Sequence, residues 1–154
     1  SNVITVAATI EYSELAPFSN FGKTTVDVAA PGFAIESAVP GDKYLKVSGT
    51  SQAAPYVAGV AGKVLEINKR LGSDDVKKII METVDKKEYL EEKIASSGVV
   101  NSMRAARAAE LSLFNSVEES ISQAKLEVSD VPTNKKYLFL DNVFVMPLPS
   151  PFKF

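Results

Sequence analysis

The segment from Gln52 to about Arg70 constrains the fold most, because small apolar residues recur on nearly every side of the helix that it predicts. These apolar residues are Ala53, Ala54, Val57, Ala58, Val60, Ala61, Val64 and Leu65. A helix that is apolar all round is usually buried, so the pattern predicts a central helix with neighbours on every side. Its alanines and glycines would let those neighbours approach closely, and Gly72 is predicted to stop the helix.

Short β-branched runs precede this helix. The run "VITVAA" (3–8) is typical of a strand in a parallel sheet that is covered on both faces. A second strand is predicted in "TVDVAAPG" (25–32), and "AIESAVPGDKYLKVS" (34–48) predicts a hairpin that turns at residues 40–42. Since the chain opens in mid-strand, we expect it to be part of a larger fold.

Helices dominate the rest of the sequence up to about residue 128. The segment 73–85 predicts a surface helix with Ser73 as its N-cap. The segment 98–113 predicts a short strand followed by a helix that Asn101 caps, and 116–128 predicts a weaker amphipathic helix. The buried stripe of the first of these helices is Val76, Ile79, Ile80 and Val84.

Composition excludes several classes of function. The net charge of the 154 residues is −2, so no excess of basic residues indicates binding to nucleic acid or to an anionic membrane. No apolar run reaches the roughly 20 residues that span a bilayer, and the first residues lack the basic region of a signal peptide. The absence of cysteine excludes disulfides and thiolate metal sites.

The segment "GTSQAAPYVAG" (49–59) carries the clearest chemistry in the sequence. Ser51 would lie at a helix N-terminus, where unpaired backbone N–H groups and the positive end of the helix dipole can stabilise an oxyanion. Gly49 permits a tight turn before it. Pro55 has no N–H, so it cannot bond to the Ser51 carbonyl. A lone serine before a helix is most often only an N-cap, so the hydroxyl alone does not define a nucleophile.

The whole segment resembles the catalytic-serine segment of the subtilisin-like serine proteases, Gly-Thr-Ser-x-Ala-x-Pro-x-Val-Ala-Gly. "VITVAA", "FSNFG", "VDVAAPG" and "GVVNSMRAA" resemble successive segments of that family, in the same order. The resemblance covers residues 1 to about 109. It implies the C-terminal portion of a three-layer α/β fold with a mostly parallel sheet. It also implies that Ser51 is the nucleophile and that its backbone N–H contributes to the oxyanion hole, with Gly49, Thr50 and Pro55 supporting the motif.

The catalytic base of that family has no counterpart in this sequence. Subtilisin-like enzymes place Asp, then His, then Ser along the chain, and the resemblance puts the Asp, the His and the oxyanion Asn upstream of residue 1. The sequence contains no histidine. In subtilisin, loss of the catalytic histidine alone costs about 10⁶ in kcat, nearly as much as loss of the whole triad. The chain by itself is therefore expected to be inactive.

Three interpretations follow from the missing base. The chain is a fragment of a working endopeptidase whose N-terminal fragment supplies the other groups, an inactive protease-like binding module, or a truncated form that associates with itself. The first is favoured because the serine motif is intact. The resemblance further implies a peptide or protein substrate and a secreted or cell-envelope location. Calcium is common in the family, but no acidic cluster here has convincing ligand spacing, so no cofactor or metal is predicted in this chain.

Residues 113–154 are expected to form a C-terminal extension, separate from a catalytic portion at 1–112. Beyond its helix, a hairpin is predicted with strands Tyr137–Leu140 and Val143–Met146. A two-stranded hairpin is marginal in water, and this one is apolar on both faces. We therefore expect it to pack on the catalytic portion away from Ser51, the alternative being a disordered tail.

Overall fold

The structure, a computed structural model, describes residues 2–131. Its strands are β1 Val6–Ile10, β2 Glu14–Leu15, β3 Val28–Pro31, β4 Ile35–Val39, β5 Lys43–Val47, β6 Asp85–Lys86 and β7 Gly98–Val99. Its α-helices are α1 Thr50–Ile67, α2 Ser73–Glu82, α3 Ser102–Leu111 and α4 Val117–Glu127. This order confirms the predicted α/β class.

A mixed sheet lies at the centre of the described residues, with strand order β2-β1-β3-β7-β6. The inner strands β1, β3 and β7 are parallel, and each edge strand pairs antiparallel with its neighbour. Alanine lines both faces of the two central strands: Ala8 and Ala30 face one core cluster, whereas Ala7 and Ala29 face another. Small side chains let the covering elements pack closely on both faces. The parallel inner strands β1, β3 and β7 confirm the predicted parallel core of the sheet. Its first strand begins at Val6 rather than at residue 3.

The hairpin predicted over residues 34–48 is present as β4 and β5. The turn between the strands places Gly41 at φ +85° and Asp42 at φ +54°. This left-handed backbone suits the Gly-Asp pair, because glycine has no Cβ and aspartate tolerates the conformation better than most residues. Tyr44 and Leu45 of β5 are more than half exposed. The hairpin therefore projects from the sheet immediately before the serine segment.

The prediction that α1 is buried on every side is wrong for the described residues. One face packs on the sheet and on α3 through Ala53, Val57, Val60 and Val64. The opposite side is exposed, including Ala54, Ala58 and Leu65. The helix is apolar all round as its sequence indicates, but among residues 2–131 the sheet, α2 and α3 leave its other side exposed.

The predicted end of α1 is also corrected, because the helix stops at Ile67 and not near residue 70. Asn68 adopts an extended backbone conformation, and its side-chain oxygen accepts the N–H of Arg70 at 3.1 Å. Such a local side-chain bond offers the backbone an alternative to the next helical turn. Gly72 consequently does not end α1 but precedes α2.

The helices after α1 follow their predicted patterns closely. Gly72, not Ser73, is the N-cap of α2, and the Asp75 carboxylate accepts the Gly72 N–H at 3.0 Å. Asn101 caps α3 as predicted, with its Oδ1 accepting the Arg104 N–H at 2.9 Å. Val76, Ile79, Ile80 and Val84 are all buried as predicted.

Helix α4 belongs to the same hydrophobic core as α1, α2 and α3, because Ile121 and Ala124 are buried in it. Its N-terminus is fixed by a capping box, in which the Ser116 hydroxyl accepts the Glu119 N–H and the Glu119 carboxylate accepts the Ser116 N–H. The division at residue 112/113 stays a prediction. The predicted strands Tyr137–Leu140 and Val143–Met146 lie outside the described residues.

Candidate active site

Ser51 is the second residue of α1 and is exposed. The turn before it is held at the end of β3, because the Gly49 N–H donates to the Gly32 carbonyl at 2.8 Å. A Cβ on Gly32 would lie 2.6 Å from the Cβ of Ala8 and 2.7 Å from the Gly49 oxygen. Only glycine therefore fits where the serine turn approaches the sheet. The prediction that Ser51 lies at a helix N-terminus is confirmed.

A second contact closes the base of the hairpin just before the serine turn. The buried Ser48 accepts the backbone N–H of Ala34 on its Oγ at 2.9 Å. Ala34 has φ +54°, a left-handed conformation that costs roughly 1–2 kcal/mol for a residue with a Cβ. The sequence reasoning missed Gly32, Ala34 and Ser48, since their roles depend on contacts between segments. The Pro31-Gly32 pair indicated only that a strand ends there, and not that the serine turn would pack against it.

The first turn of α1 leaves backbone donors unused. The Gly49 carbonyl accepts the N–H groups of Gln52 and Ala53, and no side chain caps this end of the helix. Within residues 2–131, no acceptor is bonded to the N–H of Thr50 or Ser51. Pro55 lies inside the helix, so the Ser51 carbonyl also lacks its usual partner. Free donors beside a hydroxyl at the positive end of a helix can stabilise an oxyanion.

The structure brings Gly49, Thr50, Ser51 and Pro55 together in this turn, and within residues 2–131 no side chain hydrogen-bonds the Ser51 hydroxyl. The sequence has no histidine. In the loop after β1, the Tyr12 hydroxyl donates to the Val100 carbonyl at 3.3 Å. Burial and the neighbouring Tyr56 raise the pKa of the Tyr12 phenol above its usual value.

The two carboxylates that are most enclosed by the fold are committed to cations. Asp85 pairs with Arg104 at 3.1 Å and Asp27 pairs with Lys77 at 3.0 Å. Although burial acts to raise the pKa of Asp27, hydrogen bonds from Thr5 and Lys77 lower it below its usual value. Among the described residues, no group of three or more acidic, His or Cys side chains is arranged to hold a metal.

An exposed serine hydroxyl thus lies beside unused backbone donors at the uncapped N-terminus of α1, an arrangement that serine hydrolases use to stabilise an oxyanion. The sequence profile described as the subtilase family of serine peptidases matches residues 1–115. The chain therefore belongs to the subtilase family, and the resemblance stated from its motifs is confirmed.

Individual relatives agree with this assignment. The chain is 45% identical over 85 residues to the thermophilic serine proteinase of Bacillus sp. strain AK1, covering 55% of this chain and 20% of that protein. It is 43% identical over 86 residues to thermitase of Thermoactinomyces vulgaris, covering 56% and 30%. It is 40% identical over 83 residues to the cell wall-associated protease of Bacillus subtilis strain 168, covering 54% and 9%. The chain thus spans less than a third of each of these relatives.

Solved structures support the same fold. The subtilase cytotoxin SubAB matches with a TM-score of 0.60 and 27% identity over 82% of this chain and 39% of that chain. The A-subunit of the AB5 toxin from E. coli matches with a TM-score of 0.59 and 30% identity over 79% and 38%. In the described part of the chain, no helix has the length and apolar character needed to cross a membrane.

Proposed function

We propose that this chain supplies the nucleophile of a subtilisin-like serine endopeptidase, with Ser51 attacking the carbonyl of a peptide bond. The observation that carries the proposal is an exposed serine hydroxyl beside unused backbone donors, in a chain that has no histidine. A serine hydroxyl is a weak nucleophile until a positioned base takes its proton. The Asp, the His and the oxyanion Asn would be supplied from outside residues 1–154, by a segment that precedes the serine segment in the order of the family.

The exposed side of α1 supports such a partner. Ala54, Ala58, Gly59 and Gly62 present small side chains or none there, and Leu65 is 40% exposed. Exposed apolar surface of this kind, with residues small enough for close packing, is typical of an interface. A peptidase half that docks along α1 would bring its own side chains to the N-terminus of the same helix.

The edge of the sheet offers a second contact for the partner. In the described residues, β2 pairs only with Thr9 and Ile10 of β1, and Ala16 and Ser19 bond the main chain of Ala8, so on that side no strand lies beside Val6. An open strand edge presents main-chain groups that a further strand can pair with. Pairing there would extend the sheet and cover Val6, which is only partly buried.

The experiment is labelling with a fluorophosphonate probe, read by intact mass. The chain is mixed with a polypeptide that carries the Asp and His segments of a subtilase and is compared with the chain alone. We expect rapid labelling in the mixture, very slow labelling alone, and none for Ser51→Ala. Ser73→Ala is the matched control, because Ser73 is also exposed in a helical first turn but lies outside the motif. Strong labelling of the isolated chain would show that a base lies within it and would overturn the proposal.

The alternative function is an inactive, protease-like binding module, and a truncated form that associates with itself is the third interpretation. The exposed side of α1 is compatible with each of them. Both differ from the proposed function in the labelling experiment, because neither predicts Ser51-dependent labelling when the His-bearing polypeptide is added. A secreted or cell-envelope location is proposed from the family, which includes a cell wall-associated protease.

A further inference from the structure

The residues that follow α4 cross the start of α3 and the edge of the sheet at a polar pocket. The pocket consists of Asp85 on β6 and of Asn101 and Arg104 at the beginning of α3; we call it the Arg104 pocket. Residues 128–131, the C-terminal strap, lie in it. Asp85 is fully buried, and Asn101 and Arg104 are 1% and 5% exposed. None of these residues takes part in the serine turn.

Contacts within the body of the protein already shape the Arg104 pocket. One guanidinium nitrogen of Arg104, Nη1, donates to the carbonyls of Thr83 (3.3 Å) and Val84 (2.9 Å) and contacts Asp85 Oδ1 at 3.1 Å. Asn101 Nδ2 donates to the same Asp85 oxygen at 2.8 Å. Each pocket side chain is therefore oriented without any contribution from the strap. Such preorganisation lowers the entropic cost of binding a segment.

The remaining hydrogen-bonding groups of the pocket match an extended peptide. Two donors bind carbonyl oxygens of the strap: Arg104 Nε binds that of Val128 at 3.0 Å and Asn101 Nδ2 that of Ser129 at 3.2 Å. Asp85 Oδ2 accepts the N–H of Val131 at 2.8 Å. Three main-chain contacts in four residues are the pattern by which proteins bind extended peptides independently of most side chains.

One contact selects for charge. Arg104 Nη2 donates to the Asp130 carboxylate at 2.7 Å, a charge-assisted bond between a strap side chain and the pocket. That hydrogen bond also lowers the pKa of Asp130 below its usual value. The pocket thus combines three backbone contacts with recognition of one acidic side chain.

We propose that the Arg104 pocket is a binding site for an extended acidic peptide segment, and that it retains the strap and α4 on the protein when the loop between α3 and α4 is cleaved. That loop is open to proteases, since Phe114 is 88% exposed and Leu113 is 37% exposed. Main-chain recognition does not require the bound segment to be continuous with the rest of the chain. The inference is independent of the function proposed for Ser51.

The test creates a nick and measures what stays bound. The recognition sequence of a site-specific protease is inserted between Phe114 and Asn115 of the full chain. After cleavage, size-exclusion chromatography over a dilution series gives the dissociation constant of the C-terminal fragment. We expect the fragment to co-elute with the body, and Asp130→Asn to weaken binding about tenfold through loss of the charge-assisted bond.

Ser129→Ala is the matched control, because Ser129 contacts the pocket only through its backbone carbonyl. We expect this variant to bind within about twofold of the wild type, since side-chain removal leaves the main-chain bond in place. Both substitutions are at exposed positions, so neither threatens folding of the body. Dissociation of the wild-type fragment on nicking would overturn the proposal. Equal dissociation constants for Asp130→Asn and the wild type would overturn it as well, because packing of α4 alone would then explain retention.

Discussion

The N-termini of α1 and α3 both lie at the carboxyl ends of parallel strands, beside β3 and β7, but their backbone donors are satisfied in opposite ways. α3 begins directly after β7, and the turn before α1 is held at the end of β3, which is parallel to β7. At α3, Asn101 caps the helix with its side chain and also bonds Asp85. At α1, the cap is Gly49, which has no side chain to offer, and the next two N–H groups lack an acceptor within the described residues.

This difference gives the start of α3 a stabilising role and the start of α1 a proposed chemical one. Unsatisfied donors at a helix end are a cost that a protein normally removes with a capping side chain. At α3 the Asn101 side chain accepts one of these donors, and the polar groups around the start of the helix bind the buried Arg104. At α1 the donors beside Ser51 stay unpaired within the described residues, and such donors can stabilise a developing negative charge. Substitutions at α3 should therefore change stability, whereas those at the start of α1 should change reactivity.

The largest expected effect is at the α3 end. Arg104→Met removes the cation from the fully buried Asp85 and leaves three carbonyl oxygens without their donor. Breaking a buried ion pair from one side costs about 3–5 kcal/mol. Urea unfolding of the full chain should show a loss of free energy of unfolding in this range. A loss below about 1 kcal/mol would mean that the α3 end is not the stabilising one.

The next effect concerns the contact that holds the α1 end against the sheet. Gly32→Ala would force a methyl group against Ala8 and the Gly49 oxygen, and overpacking of this kind costs about 1–3 kcal/mol. It should also displace the serine turn and slow labelling of Ser51. Gly59→Ala is the control, because a Cβ there meets no atom within 4 Å. In the isolated chain, Gly59→Ala should raise stability by about 0.5–1 kcal/mol, since it replaces glycine inside a helix. Equal effects of the two variants would contradict this account.

Loss of the side-chain cap of α3 should have a smaller effect. Asn101→Ala removes the cap of α3, which we expect to cost about 1–2 kcal/mol in free energy of unfolding. Thermal or urea unfolding measures the loss, with Ser102→Ala as a neighbouring control. A cost no larger than that of the control would show that the Asn101 cap does not stabilise α3.

The smallest effect on stability is expected at Ser51, the proposed nucleophile. Ser51 is exposed, and its side chain makes no hydrogen bond within the described residues. Ser51→Ala should therefore change the free energy of unfolding by less than about 0.5 kcal/mol while it abolishes labelling. Substantial destabilisation by Ser51→Ala would indicate a structural role, and the contrast between the two helix ends would fail.

The sequence predicted those parts of the fold that depend on local periodicity and on the serine motif. The α/β order, the hairpin at 34–48, the Asn101 cap and the position of Ser51 all follow from residues close together in the chain. The exposed side of α1 could not be predicted, because periodicity reports that a surface is apolar and not whether this chain covers it. The end of α1 was misplaced because Asn68 forms a local bond that competes with the helix.

Contacts between distant segments were missed for the same reason. Gly32 and Gly49 are 17 positions apart and Ser48 and Ala34 are 14 apart, so no local pattern links them. The Arg104 pocket joins Asp85, the start of α3 and the strap. In the sequence, its arginine is one charged residue on an amphipathic helix. Only the packing of α3 and α4 shows that it is buried and bonded to both sides of the pocket.

We propose that Ser51 and its neighbouring backbone N–H groups are the nucleophile and the oxyanion donors, and that the base lies outside residues 1–154, which contain no histidine. The most direct measurement is hydrolysis of a fluorogenic peptide while the chain is titrated with a polypeptide carrying the Asp and His segments of a subtilase. We predict no turnover by either component alone, a saturable rise in rate on mixing, and no rise with Ser51→Ala. Turnover by the isolated chain, or a rise in rate that persists in Ser51→Ala, would contradict the claim.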